Sequence, residues 1–542
     1  MTHKVLHFRA EAQTKVLKGA TALADAVRIT LGPKSKSVLM QRKWGKPLVC
    51  DDGVTIAKEI VLEDPEENLG AQMMREAAEK TGDAVGDGTT TSAILAHAIF
   101  AEGLRNVVAG ASAVDLKRGL QRGLRAAVDA LAAQARPVST HQEKVQVATI
   151  SAHGDATVGQ LVAEAVERVG DEGVVSVEEA KGIETSTEVV EGLQFDRGYL
   201  SSYFVSDPEA MQAVLEDPLV LLHEKKLGSV KDLLPLLERV ARLHRPLLVV
   251  AEDVEGEALA TLVINKVRGA FPCAAVKAPG YGDRRRELLE DIAVLCGGKV
   301  VTAELGIELE GVGEEELGQA ARVVIDRDST TIIGGRGARA AIEGRLALLR
   351  AQLAEAKGEY EREKLEERVA KLSGGVAVIR VGAPTEAELK SKKDAFDDAI
   401  ASTKAAVAEG VLPGGGLALL RAIASVRALE PELEGDQRTG LKILQQALAA
   451  PARQIALNSG ADAGVVVDRL LQRRDGNLGF DGARGEFVDL VEAGIIDPAK
   501  VVRIALENAV SVAGTLLLTE ATLTEEPERN GDGGPHGGVP PL

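Results

Sequence analysis

The stretch GDAVGDGTTTSAIL, residues 82–95, sets Asp87 between two glycines and follows it with Thr89, Thr90 and Thr91 at the threshold of an apolar run. Threonine is an indifferent helix former, so three in succession at a helix start need a reason other than propensity. Backbone amides and hydroxyls at such a start seat an anion, and Asp87 is a hard oxygen ligand of the kind Mg²⁺ takes. Two further stretches suit the same chemistry: TLGP, residues 30–33, and PGGG, residues 413–416. Gly32, Gly415 and Gly416 carry no side chain, which lets a nucleotide approach the backbone closely. In DAFDDAIAST, Asp398 is a carboxylate able to orient a water for in-line attack on a γ-phosphate. On pattern alone, the same residues also read as ordinary caps and turns.

Other chemistries find no support in the sequence. No GxxxxGK[ST] loop and no G-x-S-x-G elbow occurs, and Gly335-x-Gly337-x-x-Ala340 imitates a dinucleotide fingerprint without the acidic residue at a strand end about 20 positions on. Cys50, Cys273 and Cys296 lie far apart with no CxxC, and the eight histidines never join a Cys or Glu at metal-ligand spacing. Neither a disulfide framework nor a structural zinc site is expected. With 64 basic against 82 acidic residues and a net charge of −18, the 542-residue chain is no general nucleic-acid binder. The opening MTHKVLHFRAEAQTK is too polar for a signal peptide, and no run reaches the ~18 apolar residues of a membrane span. The expectation is therefore a cytoplasmic protein with no membrane and no nucleic-acid partner. Apolar residues make up 45% and aromatics 2%, so the cores must be built from Ala, Val, Leu and Ile.

The elements that would position these groups follow from periodicity. Val16, Leu17, Ala20, Leu23, Ala24 and Val27 predict a helix that Gly32 and Pro33 stop. SVLMQ and PLVC predict short strands, and 64–133 reads as helical. Between 245 and 304 the pattern alternates strand, helix, strand, helix, strand, which favours an α/β domain. Ile342, Leu346, Leu349 and Leu353 continue into EYEREKLEERVAKL, a charged two-helix hairpin broken at AKGEY. Glycines at 192 and 374–375 flank the α/β section and read either as hinges or as terminators. Past Thr385 the chain reads as helical, and NGDGGPHGGVPPL, residues 530–542, has the composition of a disordered tail.

Several long stretches together resemble the group I chaperonin family, GroEL-type: TLGPK, DDGVTIAKEI, GDGTTT, EGLQFDRGYLS, AEDVEGEALATLVIN, VKAPGYGDRR, REKLEERVAKLSGGVAVI and AEGVLPGGG, over about residues 1–525 and in the family's order. The resemblance implies a multidomain α and α/β chaperonin fold. Its mainly helical equatorial domain would span 1–133 and 409–525, its small α/β intermediate domain 134–190 and 377–408, and its α/β apical domain 191–376, before a tail at 526–542. It implies an ATP-driven chaperonin of two stacked seven-membered rings that encloses unfolded polypeptides under a heptameric, GroES-type co-chaperonin lid. An assembled ring that only holds its clients, with weakened hydrolysis, is the alternative.

Carried onto this sequence, the resemblance assigns nucleotide contacts to Thr30, Leu31, Gly32, Pro33, Asp51, Asp87, Gly88, Thr89, Thr90, Thr91, Gly415, Asp481, Gly482, Ala483 and Asp497. It assigns Mg²⁺ to Asp87, K⁺ to backbone oxygen near Thr30 and position 51, and hydrolysis to Asp52 and Asp398. Tyr199, Tyr203, Phe204, Leu234, Leu237, Leu259, Val263 and Ile264 would form an exposed groove for apolar client segments. The chain departs from the family at Asp51, where Lys or Asn is common, at Asp481, where Asn is expected, and at Ala395, where an Arg would face Asp155. Arg197 and Glu386 resemble the family's intersubunit pair.

Overall fold

A computed structural model describes residues 4–41, 47–170, 173–180, 182–208, 210–302, 309–356, 358–473 and 476–525. The expected disordered tail lies outside them. The chain divides into two compact units, residues 1–160 with 395–542 and residues 161–394.

The first unit is a stack of helices that cross very closely, and its glycines and alanines are the reason. Helices Arg9–Arg28 and Pro65–Val85 meet at Gly19 and Gly70. A Cβ on Gly19 would stand 1.6 Å from Glu67 O, and one on Gly70 would stand 2.0 Å from Val16 O. The same reciprocal arrangement joins helices Ala113–Gln134 and Gly435–Ala447, where a Cβ on Gly119 would stand 2.0 Å from Gln437 O and one on Gly440 2.3 Å from Leu116 O. Backbones this close leave room only for small side chains between them, which is how a core almost free of aromatics closes. Helices Thr89–Val108 and Ala499–Leu517 complete the centre, with Ala93, Leu95, Ala96, Ile99, Leu506, Ala509 and Ala513 buried.

Short two-stranded sheets decorate this unit. Lys4–Phe8 pairs antiparallel with Ala521–Glu525, Val38–Met40 with Leu48–Cys50, Val411–Pro413 with Ile496–Pro498, and Leu478–Asp481 with Glu486–Asp489. The last two pairs and the strand 521–525 correct the expectation of an all-helical stretch beyond Thr385. Each is a 3–5-residue piece whose register is set by contact rather than by an alternating pattern of its own.

The second unit carries the α/β alternation. Strands Leu219–His223, Leu247–Ala251 and Cys273–Lys277 run parallel, Val300–Val301 joins Leu219–His223 in parallel, and antiparallel strands Gly318–Ile325, Thr330–Gly335 and Gly192–Phe195 extend the sheet. Helices Val230–Leu243, Gly256–Val267 and Asp283–Cys296 make the crossovers. The charged stretch folds as a two-helix hairpin, Arg339–Glu355 and Glu359–Gly374. It is fastened to Asp283–Cys296 by Asp291, which is buried and accepts from Arg345 Nε at 2.7 Å and from Arg368 Nε at 2.8 Å. Beside this, Val376–Val381 pairs with Val174–Glu179 and Ser186–Val190.

Gly192 and Gly375 both serve close packing. A Cβ on Gly192 would meet Ile332 O at 2.5 Å, and one on Gly375, which sits at φ 66°, would meet Val190 O at 2.7 Å. The two units part inside the helices Ala156–Val169 and Glu386–Glu409. Cys273 and Cys296 are buried, and burial pushes both thiols up to about 12, which makes them inert.

Candidate nucleotide site and chaperonin surface

Within the first unit, stretches hundreds of residues apart converge on the start of one helix. Gly88, in the left-handed conformation at φ 78°, caps Thr89–Val108 without a side chain to bond its first amides, so those donors point outward for another acceptor. Thr90 Oγ1 lies 3.1 Å from Thr30 Oγ1, which itself donates to Val27 O at 2.9 Å, so Thr90 is the donor between the two hydroxyls. A Cβ on Gly53 would stand 2.3 Å from Thr90 Oγ1. The 30–33 turn is pinned from below by Asn458, whose Nδ2 donates to both Arg28 O (2.9 Å) and Leu31 O (2.8 Å). Gly32 takes φ 92° there, with Ile455 against it.

The other side of the site comes from the C-terminal half. A Cβ on Gly482 would stand 2.6 Å from Ser459 Oγ and 3.2 Å from Pro33 Cγ, so Gly482 and Pro33 are in contact. Ser459 Oγ is buried and makes no hydrogen bond among the described residues. Gly415, at φ 63°, faces Phe480 O, and a Cβ on Gly414 would stand 3.0 Å from Asp497 Oδ1. Burial pushes the Asp497 carboxyl up to about 7, and the Asp87 carboxylate adds to the shift. Gly416 caps helix Leu417–Ala428, again without a side-chain bond.

The remaining aspartates of this site are held differently. Asp87 Oδ2 accepts from Ser402 Oγ at 2.9 Å and from Ser151 Oγ at 3.1 Å. Asp398 lies one helical turn before Ser402 on the helix Glu386–Glu409, on the same face. Asp52 caps the helix Gly53–Glu59, with Val54 N and Thr55 N on its two oxygens at 3.2 and 2.9 Å. Asp481, buried, accepts from Ala483 N at 2.8 Å and Arg484 N at 3.3 Å, so its side chain is turned into its own hairpin. Asp51 is half-buried on the segment between Cys50 and Asp52, and Leu31, Thr91 and Ala483 sit in the turns and first helical turn already described.

The sequence pattern missed Ser151, Ser402, Asn458 and Ser459. Only Ser402 left a trace, its four-residue spacing from Asp398. Asp155, the carboxylate opposite Ala395 in the family pattern, caps Ala156–Val169 through Thr157 N (2.8 Å).

On the second unit, helix Gly256–Val267 packs beside Val230–Leu243 and against the turn Ser202–Phe204. Tyr203, Leu234 and Ile264 are exposed, together with Val267, which the sequence reading left out. Tyr199, Leu259 and Val263 are half-buried against the core. Phe204 and Leu237 correct the expectation: at 1% and 4% exposure they are core. Leu237 lies on the side of its helix that carries Leu233, Leu236 and Val240 inward, and Phe204 closes the turn from beneath. Arg197 stacks on Tyr281 at 5.5 Å.

Residues 23–527 match the model of the TCP-1/cpn60 chaperonin family, and the chain belongs to that family. It is similar to Chaperonin GroEL 5 of Bradyrhizobium diazoefficiens, with 63% identity over 528 residues that cover 97% of each chain. It is a group I chaperonin of the GroEL type. No helix among the described residues is long and apolar enough to cross a membrane.

Proposed function

We propose that this chaperonin binds ATP at the Thr89 helix start and uses its hydrolysis to drive client folding. The observation that carries the reading is the convergence of residues 30–33, 52–53, 87–91, 414–416, 481–483 and 497 around two helix N-termini that no side chain caps. The residues fit the ligand: Gly32, Gly415 and Gly416 hold left-handed turns that leave bare backbone at the site, and Ser459 Oγ is a buried polar atom in want of a partner. The amides and hydroxyls of Thr89–Thr91 would hold phosphate oxygens, and Gly415, Gly482 and Asp497 would flank base and ribose. Asp87 would hold Mg²⁺, and backbone oxygen near Thr30 and Asp51 would hold K⁺. Bound there, the two cations supply neutralising charge to the phosphates. Asp398 and Asp52 orient the attacking water, Asp398 from a helix that can bring it to the site or withdraw it.

The three-domain division, with boundaries at 133, 190, 376 and 408, is part of this proposal, as are the double seven-membered ring, the GroES-type lid and the cytoplasmic setting. Two features of the first unit favour assembly. The ribbons 4–8/521–525 and 38–40/48–50 have open edges and expose Leu6, Phe8, Leu39, Val49 and Leu523, and an isolated two-stranded ribbon is marginal in water. Tyr203, Leu234, Ile264 and Val267 offer an apolar surface that needs no sequence match in a client. The test is release: an unfolded protein captured by the assembled rings should leave on addition of ATP with Mg²⁺ and K⁺. Release that ignores ATP would favour the holding chaperone.

A further inference from the structure

The Asp87 carboxylate is joined to two segments that no phosphate motif contains. Ser402 is wholly buried on the helix Glu386–Glu409, and Ser151, 8% exposed, ends the helix His141–Ser151. Both hydroxyls reach Asp87 Oδ2, at 2.9 and 3.1 Å, and they stand 3.1 Å from each other. An ionised carboxylate only accepts, so the two hydroxyl protons go to Oδ2, directly or with one serine relaying through the other. Gly88 N donates to Oδ1 at 2.5 Å. The carboxylate is thus fixed at Oδ2, and its remaining acceptor capacity lies on Oδ1.

The seat around these bonds is close-packed. A Cβ on Gly86 would stand 2.2 Å from Ala401 Cβ, and Val85, Ala405 and Val501 form an apolar cluster beside it. The 395–409 part of the helix therefore rests on the Asp87 turn, and Ser402 is the polar tie between them.

We propose that Ser402 is a positioning residue for Asp87, which fixes the carboxylate for Mg²⁺ and links metal affinity to the docked position of the helix that carries Asp398. The proposal rests on the reading of Asp87 as the Mg²⁺ ligand. Carboxylates that ligate metals are held by hydrogen bonds from outside the coordination sphere, and loss of such a partner weakens metal affinity about 10–100-fold. Metal on Asp87 and docking of the helix then favour each other, since a coupling between two events is reciprocal. Ser402 lies one turn from Asp398, so the stretch that is tied is the stretch that must be in place for hydrolysis.

The experiment is calorimetric titration of ADP into the assembled protein over a Mg²⁺ series, for the parent and Ser402→Ala, with EDTA as the metal-free reference. The expected result is a rise of about 10–100-fold in the Mg²⁺ concentration that gives half of the metal-dependent gain in affinity, with the EDTA affinity unchanged. Equal Mg²⁺ requirements overturn the proposal, as does an equal loss with and without metal, which would be packing damage. A parent that binds ADP with no Mg²⁺ dependence overturns the metal reading of Asp87 itself and this proposal with it. Should Ser402→Ala fail to assemble, Ser151→Ala removes the other donor to Oδ2 and is read by the same two outcomes.

Discussion

Asp52 spends both oxygens on Val54 N and Thr55 N at the start of a short helix, while Asp398 is half-buried within a long one. A substitution at Asp52 therefore changes two things at once. Asp52→Ala should lose hydrolysis and also about 1 kcal/mol of stability with the cap. Asp52→Asn keeps a capping oxygen and should lose hydrolysis with its urea midpoint intact; full turnover in Asp52→Asn would reduce the residue to a cap. His97 offers a pH test of the same unit. Arg28 Nη2 sits 3.2 Å from His97 Nδ1 and can only donate, so Nδ1 accepts, and Nε2–H donates to Thr21 Oγ1 at 3.0 Å, which passes its proton to Leu17 O. The ring is held neutral, its pKa lowered to about 4 by burial and then by Arg28. The unfolded chain binds the extra proton first, so this contribution is complete above about pH 6.5 and is lost as pH falls toward 4. His97→Gln should flatten that acid limb by on the order of 3 kcal/mol; parallel stability–pH curves for the two proteins would refute the assignment.

At the level of elements, two joints carry most of the consequence. Gly86 combines φ 70° with a contact that leaves no room for a Cβ against Ala401. Gly86→Ala should push the 395–409 helix off the Asp87 turn and depress ATP turnover far more than ADP binding, and equal losses in both would argue against that joint. Asp291 balances Arg345 and Arg368 inside the second unit. Asp291→Ala removes the buried carboxylate that both guanidinium groups share, leaving Arg345 to Glu290 and Arg368 to Glu287, and should cost about 3 kcal/mol in chemical unfolding, a loss that a surface ion pair would not give. The long helices, the parallel strands and the two-helix hairpin were legible because each repeats its apolar spacing over several turns or a whole strand. The strands 411–413, 478–481 and 496–498 were not, since three or four residues carry no period and their pairing is decided by what they meet. Phe204 and Leu237 were misread for a related reason: spacing shows that two apolar faces exist on a helix, and only packing decides which one is covered.

For the molecule as a whole, the proposed phosphate loops could be read as a set because each is dense in Gly, Thr and Asp, and family resemblance joined them across nearly 500 positions. Ser402 and Asn458 could not, since a lone hydroxyl or amide becomes meaningful only when folding brings it to an acceptor 315 or 430 residues away. Ala395 is the departure with the widest reach. With no Arg there, Asp155 is left to cap its own helix, and Ala395→Arg should shift the Hill coefficient for ATP; an unchanged coefficient would remove position 395 from any account of cooperativity. The central claim is that this chaperonin runs on ATP at the Thr89 helix start. It is tested most directly by steady-state ATP hydrolysis in the ring-sized fraction with Mg²⁺ and K⁺, beside Asp398→Ala. The account predicts turnover that collapses in the variant while ADP still binds. Well-assembled rings with no turnover, or a variant as fast as its parent, would contradict it.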